Sequence, residues 1–166
     1  MFREFLRSIN LECALPVIDA KGNNNQLPRF RKEMVQTLRD MDVSKVFILT
    51  DKDQKPCFTF IKELINPGED EKVVVCVKQL EAWFLADETA MTNYLGGNVF
   101  HCENPESFDV PLDEIKRIRL EKTGKGVSDK LMLAKNMIKS GFSIERASTN
   151  SASANYFIEQ LKAVAS

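Results

Sequence analysis

Apolar residues recur along the chain in two rhythms, one helical and one extended. Phe2, Phe5, Leu6 and Ile9 fall at helical spacing, so the sequence opens on a short amphipathic helix with no strand before it. CALPVIDA, residues 13–20, reads as a strand that Pro16 confines to an edge or a strand start. KGNNN, residues 21–25, is a loop by composition. Pro28 suits a first helical turn, and Phe30, Met34, Leu38 and Met41 then mark one helix face. Val46 to Leu49 is a continuous apolar run, the signature of a strand buried on both faces of a sheet. Pro56 opens a helix with Phe60, Ile61, Leu64 and Ile65 apolar, closed by Asn66-Pro67-Gly68. Val73 to Val77 is a further buried strand.

The second half reads differently. KQLEAWFLAD, residues 78–87, predicts a short packed helix. Gly96-Gly97 and Asn104-Pro105 mark turns, and about 89–120 reads as an irregular insertion or lid. Thr123 to Gly126 is a flexible basic loop. Ser128 then caps a helix to Lys139 with Leu131, Ala134 and Ile138 inward and Gly141 closing it. A last helix from about Ser153 buries Phe157, Leu161 and Val164. Helices alternating with strands imply right-handed crossovers. The expected fold is a single α/β domain over residues 1–166, three-layered, with a mainly parallel sheet covered on both faces in a Rossmann-like topology.

Composition changes this picture little. At 166 residues, 43% hydrophobic and 28% charged, the chain has enough apolar material for a real core. No apolar run approaches a membrane span, and Arg3, Glu4 and Arg7 break the pattern of a signal peptide, so a cytoplasmic location is expected. Cys13, Cys57, Cys76 and Cys102 form no C-x-x-C pair and read as buried, reduced thiols. The net charge of −1 conceals an asymmetry. Gln79 to Ile115 contains no Lys or Arg, whereas Lys116 to Arg146 is strongly basic, as for a surface balancing the acidic block or meeting phosphate.

The candidate chemistry lies where the strands end. Asp51 and Asp53 follow the first long apolar run and fall at the carboxyl edge of a parallel sheet, where ligands of open α/β sheets bind. Two acids one residue apart repel each other. A divalent cation such as Mg²⁺ or Mn²⁺ relieves that repulsion, although the same residues could instead cap the loop and helix that follow. Glu81 follows the next strand and could reach the same edge, beside the packed Trp83 and Phe84. Lys21, after the 13–20 stretch, would suit a phosphate there or lie in an exposed loop. Gly124-Lys125-Gly126 lacks the spacing of a phosphate loop. His101 is the only histidine, so there is no histidine-based metal cluster.

A strand ending in Asp-x-Asp, a helix, and a strand running into Glu81-Ala82-Trp83-x-Leu85-Ala86-Asp87 together resemble a group of Toprim-like proteins, and Ser151-Ala152-Ser153 before Phe157 resembles that group's closing helix. The resemblance covers most of the chain and matches poorly over 89–120. It implies Mg²⁺ held by Asp51 and Asp53 and action on nucleic-acid phosphodiesters, in nuclease-like defence against mobile DNA. Toprim domains also use a Glu just after a first strand. This sequence starts on what would be the first helix, and Glu4 there is a poor substitute, which implies a shortened or degenerate member of weakened activity. An open sheet position also invites a second chain, so a homodimer is an expectation.

The leading reading is therefore a metal-dependent, phosphodiester-acting domain. Asp51, Asp53 and Glu81 are its acids, and Lys21, Lys125 and Lys130 meet phosphates. The alternatives are a non-catalytic binding or regulatory module, and a haloacid-dehalogenase-like phosphatase with Asp51 as nucleophile. Lys55 stands where that phosphatase family carries Thr or Val.

Overall fold

The computed structural model describes residues 6–14, 17–20 and 27–165. Two strands, β1 (Val46–Asp51) and β2 (Glu71–Cys76), pair in parallel with Val46 opposite Glu71 and Asp51 opposite Cys76. Helices α1 (Pro28–Arg39) and α2 (Phe58–Ile65) precede and join them. After β2 the chain is helical: α3 (Glu81–Ala86), α4 (Glu88–Tyr94), α5 (Pro111–Thr123), α6 (Lys130–Lys139), α7 (Ile144–Ser148) and α8 (Ala152–Ala165). The fold is mixed α/β with a small parallel sheet. No helix among the described residues is long and apolar enough to cross a membrane.

Both strands alternate between two separate cores, as expected of strands covered on both faces. Val46, Ile48, Val73 and Val75 pack with Val35 of α1 and with Ile61 and Ile65 of α2. Phe47, Leu49, Val74 and Cys76 pack with Trp83 of α3, Ile144 and Ala147 of α7, and Ala154, Phe157 and Leu161 of α8. Trp83 stacks on Phe157 at 5.6 Å between ring centroids, and Phe47 meets Phe157 edge-on. A third core, formed mostly by helices, gathers Leu85, Met91, Leu95, Ile115, Leu133 and Met137.

Several expectations need correction. The described part of the 13–20 stretch, residues 13–14 and 17–20, forms no strand, and Val17 is 74% exposed, so no buried face alternates there. Of the opening helix, residues 6–8 are helical, with Leu6 in the core, while Phe2 and Phe5 lie outside the described residues. In α1 the buried residues are Arg31 and Val35; of the expected face, Leu38 packs half-buried against the same core and Met34 is half-buried, whereas Phe30 and, beyond the helix, Met41 are exposed. Arg31 turns inward because it finds acceptors there: Glu71 Oε2 and the carbonyls of Ile65 and Asn66. In α6 the cap is Asp129, whose carboxylate accepts the Met132 N–H, and the inward residues are Leu133 and Met137. Leu131 and Ile138 face out, because four consecutive apolar residues, Leu131 to Ala134, satisfy more than one helical face. The 89–120 stretch holds most of α4 and α5 around the third core. All four cysteines are free; Cys76 is buried, but Cys57 is exposed and caps α2 through its sulfur.

Candidate functional site

Parallel pairing brings the ends of β1 and β2 side by side. The ladder runs past both strands, with Lys52 N–H on the Cys76 carbonyl at 2.9 Å and Asp53 N–H on the Lys78 carbonyl at 2.8 Å. Asp53 and Lys78 both carry left-handed backbone, φ 47° and 61°, conformations that cost a residue other than Gly about 1 kcal/mol or more. These bends turn the chain out of the sheet at one level. The carboxyl edge is therefore a fixed platform, not a pair of fraying ends.

On it, Asp51 Oδ1 accepts the Leu80 N–H at 2.8 Å, tying the end of β1 to the start of α3. Burial pushes the Asp51 carboxyl above its ordinary value, and the negative charges of Glu81 and Asp53 push it further; the Leu80 N–H and the charge of Lys130 pull the other way. Glu81, the first residue of α3, has a side chain only 8% exposed, with Lys130 Nζ at 3.1 Å. Lys130 is the first residue of α6, where a cation meets the positive end of the helix dipole, so the acids opposite supply the compensating attraction. The Cys76 thiol, between the strands and these acids, is held well above its usual value by burial and then by Asp51, Glu106 and Glu81.

The structure thus brings Asp51, Asp53, Glu81 and Lys130 to one edge. It does not bring Lys125 into contact with them: Lys125 is exposed in the α5–α6 loop, and no ion pair joins it to these acids. Lys21 lies outside the described residues. His101 pairs with Glu88 at 2.7 Å on the surface, away from this edge. Asp87 is structural: it caps α4 through the Ala90 N–H and binds Ser143 N–H and the Arg146 guanidinium.

Two neighbours carried no sequence signal. Glu106, in the loop before α5, accepts from Ser151 Oγ and from the N–H and hydroxyl of Ser153. Ser153 Oγ in turn accepts the Trp83 indole N–H at 2.8 Å. Gln79, between Lys78 and Leu80, has a buried Oε1 with no hydrogen-bond partner.

Carboxylate oxygens are donors that Mg²⁺ or Mn²⁺ prefer and a soft metal does not. Among the described residues no group of three or more His, Cys, Asp or Glu side chains could hold a metal. A cation at this edge would have to take one or two carboxylates from the protein and its other ligands from water and phosphate, as Mg²⁺ commonly does.

The raised Asp51 value has a testable sign. A carboxyl whose folded-state pKa exceeds its unfolded value binds its proton better in the folded state, so stability falls as pH rises from near 3.8 through the folded value. Asp51→Asn removes this loss, keeps an acceptor for the Leu80 N–H and places an NH₂ near Glu81. It should be at least as stable as wild type at pH 7, with the advantage shrinking as pH drops toward the ordinary aspartate range. Urea unfolding across that range checks this; a variant less stable at pH 7 than wild type contradicts it.

Compared with known proteins, the chain matches no family model, no curated protein and no solved structure.

Proposed function

We propose that the edge formed by Asp51, Asp53 and Glu81 binds Mg²⁺ or Mn²⁺ and engages a nucleic-acid phosphodiester, in a domain of three-layer, Toprim-like architecture. The observation that carries this reading is geometric: half-buried Asp51, tied by the Leu80 N–H, and nearly buried Glu81 lie with Asp53 at one strand-end edge, where burial and the neighbouring acids hold the Asp51 carboxyl above its ordinary value. A protein with no use for negative charge there would lose nothing by an amide. Stored electrostatic cost of this kind concentrates at functional sites.

The roles follow from position. Asp51 is held by the Leu80 N–H, which fixes one oxygen and leaves the other for a ligand. Glu81 is the second acid, held in place by Lys130. When bound, the cation supplies charge neutralisation and Lewis acidity at the phosphate. Lys130, half exposed at the mouth of the edge, and Lys125 on the loop before it meet phosphate oxygens.

A second reading, a non-catalytic binding module, has its own support. The Lys130 ammonium already neutralises Glu81, a role a metal would otherwise fill. Anisotropy with labelled single-stranded and duplex oligonucleotides, in Mn²⁺ and in EDTA, tests both. The leading reading expects Mn²⁺ to tighten binding by about tenfold or more, with the gain lost in Asp51→Asn, and cleavage on a denaturing gel. Oligonucleotide binding that EDTA leaves unchanged and Asp51→Asn retains, without cleavage, identifies the module. Absence of any metal effect overturns the proposal.

A further inference from the structure

A different part of the sheet carries a second site. β2 uses one edge for β1: the Asp70 and Cys76 carbonyls accept from Val46 and Lys52, so even-numbered residues of β2 point their backbone groups at β1 and odd-numbered ones point away. On the outer edge the Glu71 N–H is satisfied by Gly68, and the Val77 N–H reaches Ser153 Oγ at 3.4 Å. Among the hydrogen bonds of the described residues, none goes to the outer N–H or C=O groups of Val73 and Val75. Both residues are nonetheless buried, 5% exposed, and buried backbone groups are rarely left unpaired.

A cavity of about 250 Å³ opens along this edge, lined by Val75 and Val77, by Phe58 and Lys62 of α2, and by Ala152 and Tyr156 of α8. The two helices cover opposite faces of the sheet, so the cavity straddles the edge. Its walls are apolar, and Phe58 and Tyr156 are each about two-fifths exposed. At its rim the Lys62 ammonium lies over the Tyr156 ring and 3.4 Å from its hydroxyl.

We infer that this slot is a strand-addition site for an extended apolar peptide segment of a partner protein, carrying a carboxylate that meets Lys62. The backbone argues for the extended form. The outer groups of Val73 and Val75 repeat about every 6.6 Å, the two-residue repeat of another strand. The cavity takes its inward-facing apolar side chains, and Lys62, with only a phenol opposite, takes the acid. A second copy is the poorer occupant, because its own outer edge of β2 brings another Lys62, not an acid, to the rim.

The test is a displayed random heptapeptide library selected on the full chain. The variants are Ala152→Trp, which fills the slot from an exposed position, and Lys62→Glu, which reverses the rim charge; circular dichroism confirms that both fold. Enriched peptides should alternate β-branched residues, carry an acid, slow hydrogen exchange at the Val73 and Val75 amides, and lose about tenfold or more in affinity for each variant. Enrichment of nothing, or of peptides that bind Ala152→Trp as well as wild type, overturns the inference. So does a wild-type dimer in sedimentation that Ala152→Trp dissolves, which assigns the edge to a second copy.

Discussion

Glu71→Ala should lower the unfolding free energy by about 3–5 kcal/mol, because it removes a buried carboxylate that a buried guanidinium pairs with at 2.6 Å. Arg31 donates to Glu71 Oε2 through Nε at 3.0 Å and Nη2 at 2.6 Å, and both side chains are less than a tenth exposed. The pair links α1 to the start of β2. Its remaining donors close α2, with the Ile65 carbonyl at 2.6 Å and the Asn66 carbonyl at 2.9 Å. The Glu71 carboxylate also takes the Gly68 N–H. The double variant Arg31→Met/Glu71→Leu removes both charges. It should recover most of the loss and stay within about 1–2 kcal/mol of wild type, part of the remainder being the Ile65 and Asn66 carbonyls that lose their Arg31 donors. Urea denaturation of both variants checks this. Equal losses in the single and double variants would mean that packing, not charge, sets the cost.

Asp87→Ala should lower stability by about 3–4 kcal/mol, from a lost helix cap of about 1 kcal/mol and the unpaired Ser143 N–H and Arg146 side chain. The Asp87 side chain is fully buried and holds two helices at once: α4 at its N-terminus, and α7 through the Ser143 N–H at its start and the Arg146 guanidinium within it. Half-exposed Arg146 can recover water, which keeps the cost below that of Glu71→Ala. Asp87→Asn keeps one acceptor and should lose about half as much. Neither change touches Asp51, so Mn²⁺ affinity of the folded fraction should not move. A parallel fall in affinity would place Asp87 in the site after all.

The parts of this molecule that could be read from its sequence are those fixed by local pattern. The continuous run Val46 to Leu49 gave a strand with Asp51 at its end, and the packed run from Glu81 to Ala86 gave α3. Phe157 and Leu161 turned inward in α8 as their spacing predicts. What could not be read depended on distant partners. Arg31 lies on the buried face of α1 only because Glu71, forty residues on, meets it. In α6, spacing alone could not choose between Leu131 and Leu133; the third core chose. Asp51 and Glu81 were visible as acids after strands, but the role of Lys130 as counter-ion to Glu81 depends on how α6 returns to the edge. Glu106 lies in a stretch without periodicity, and its serine partners come from the start of α8.

The proposal of a cation site at the carboxyl edge is tested most directly by calorimetric titration of Mn²⁺ into the folded chain, beside Asp51→Asn and Glu81→Gln. The wild type should show a single binding event in the micromolar to millimolar range, lost in both variants while their folds persist. A folded wild type that takes up no Mn²⁺, or an Asp51→Asn variant that binds it equally well, would contradict it.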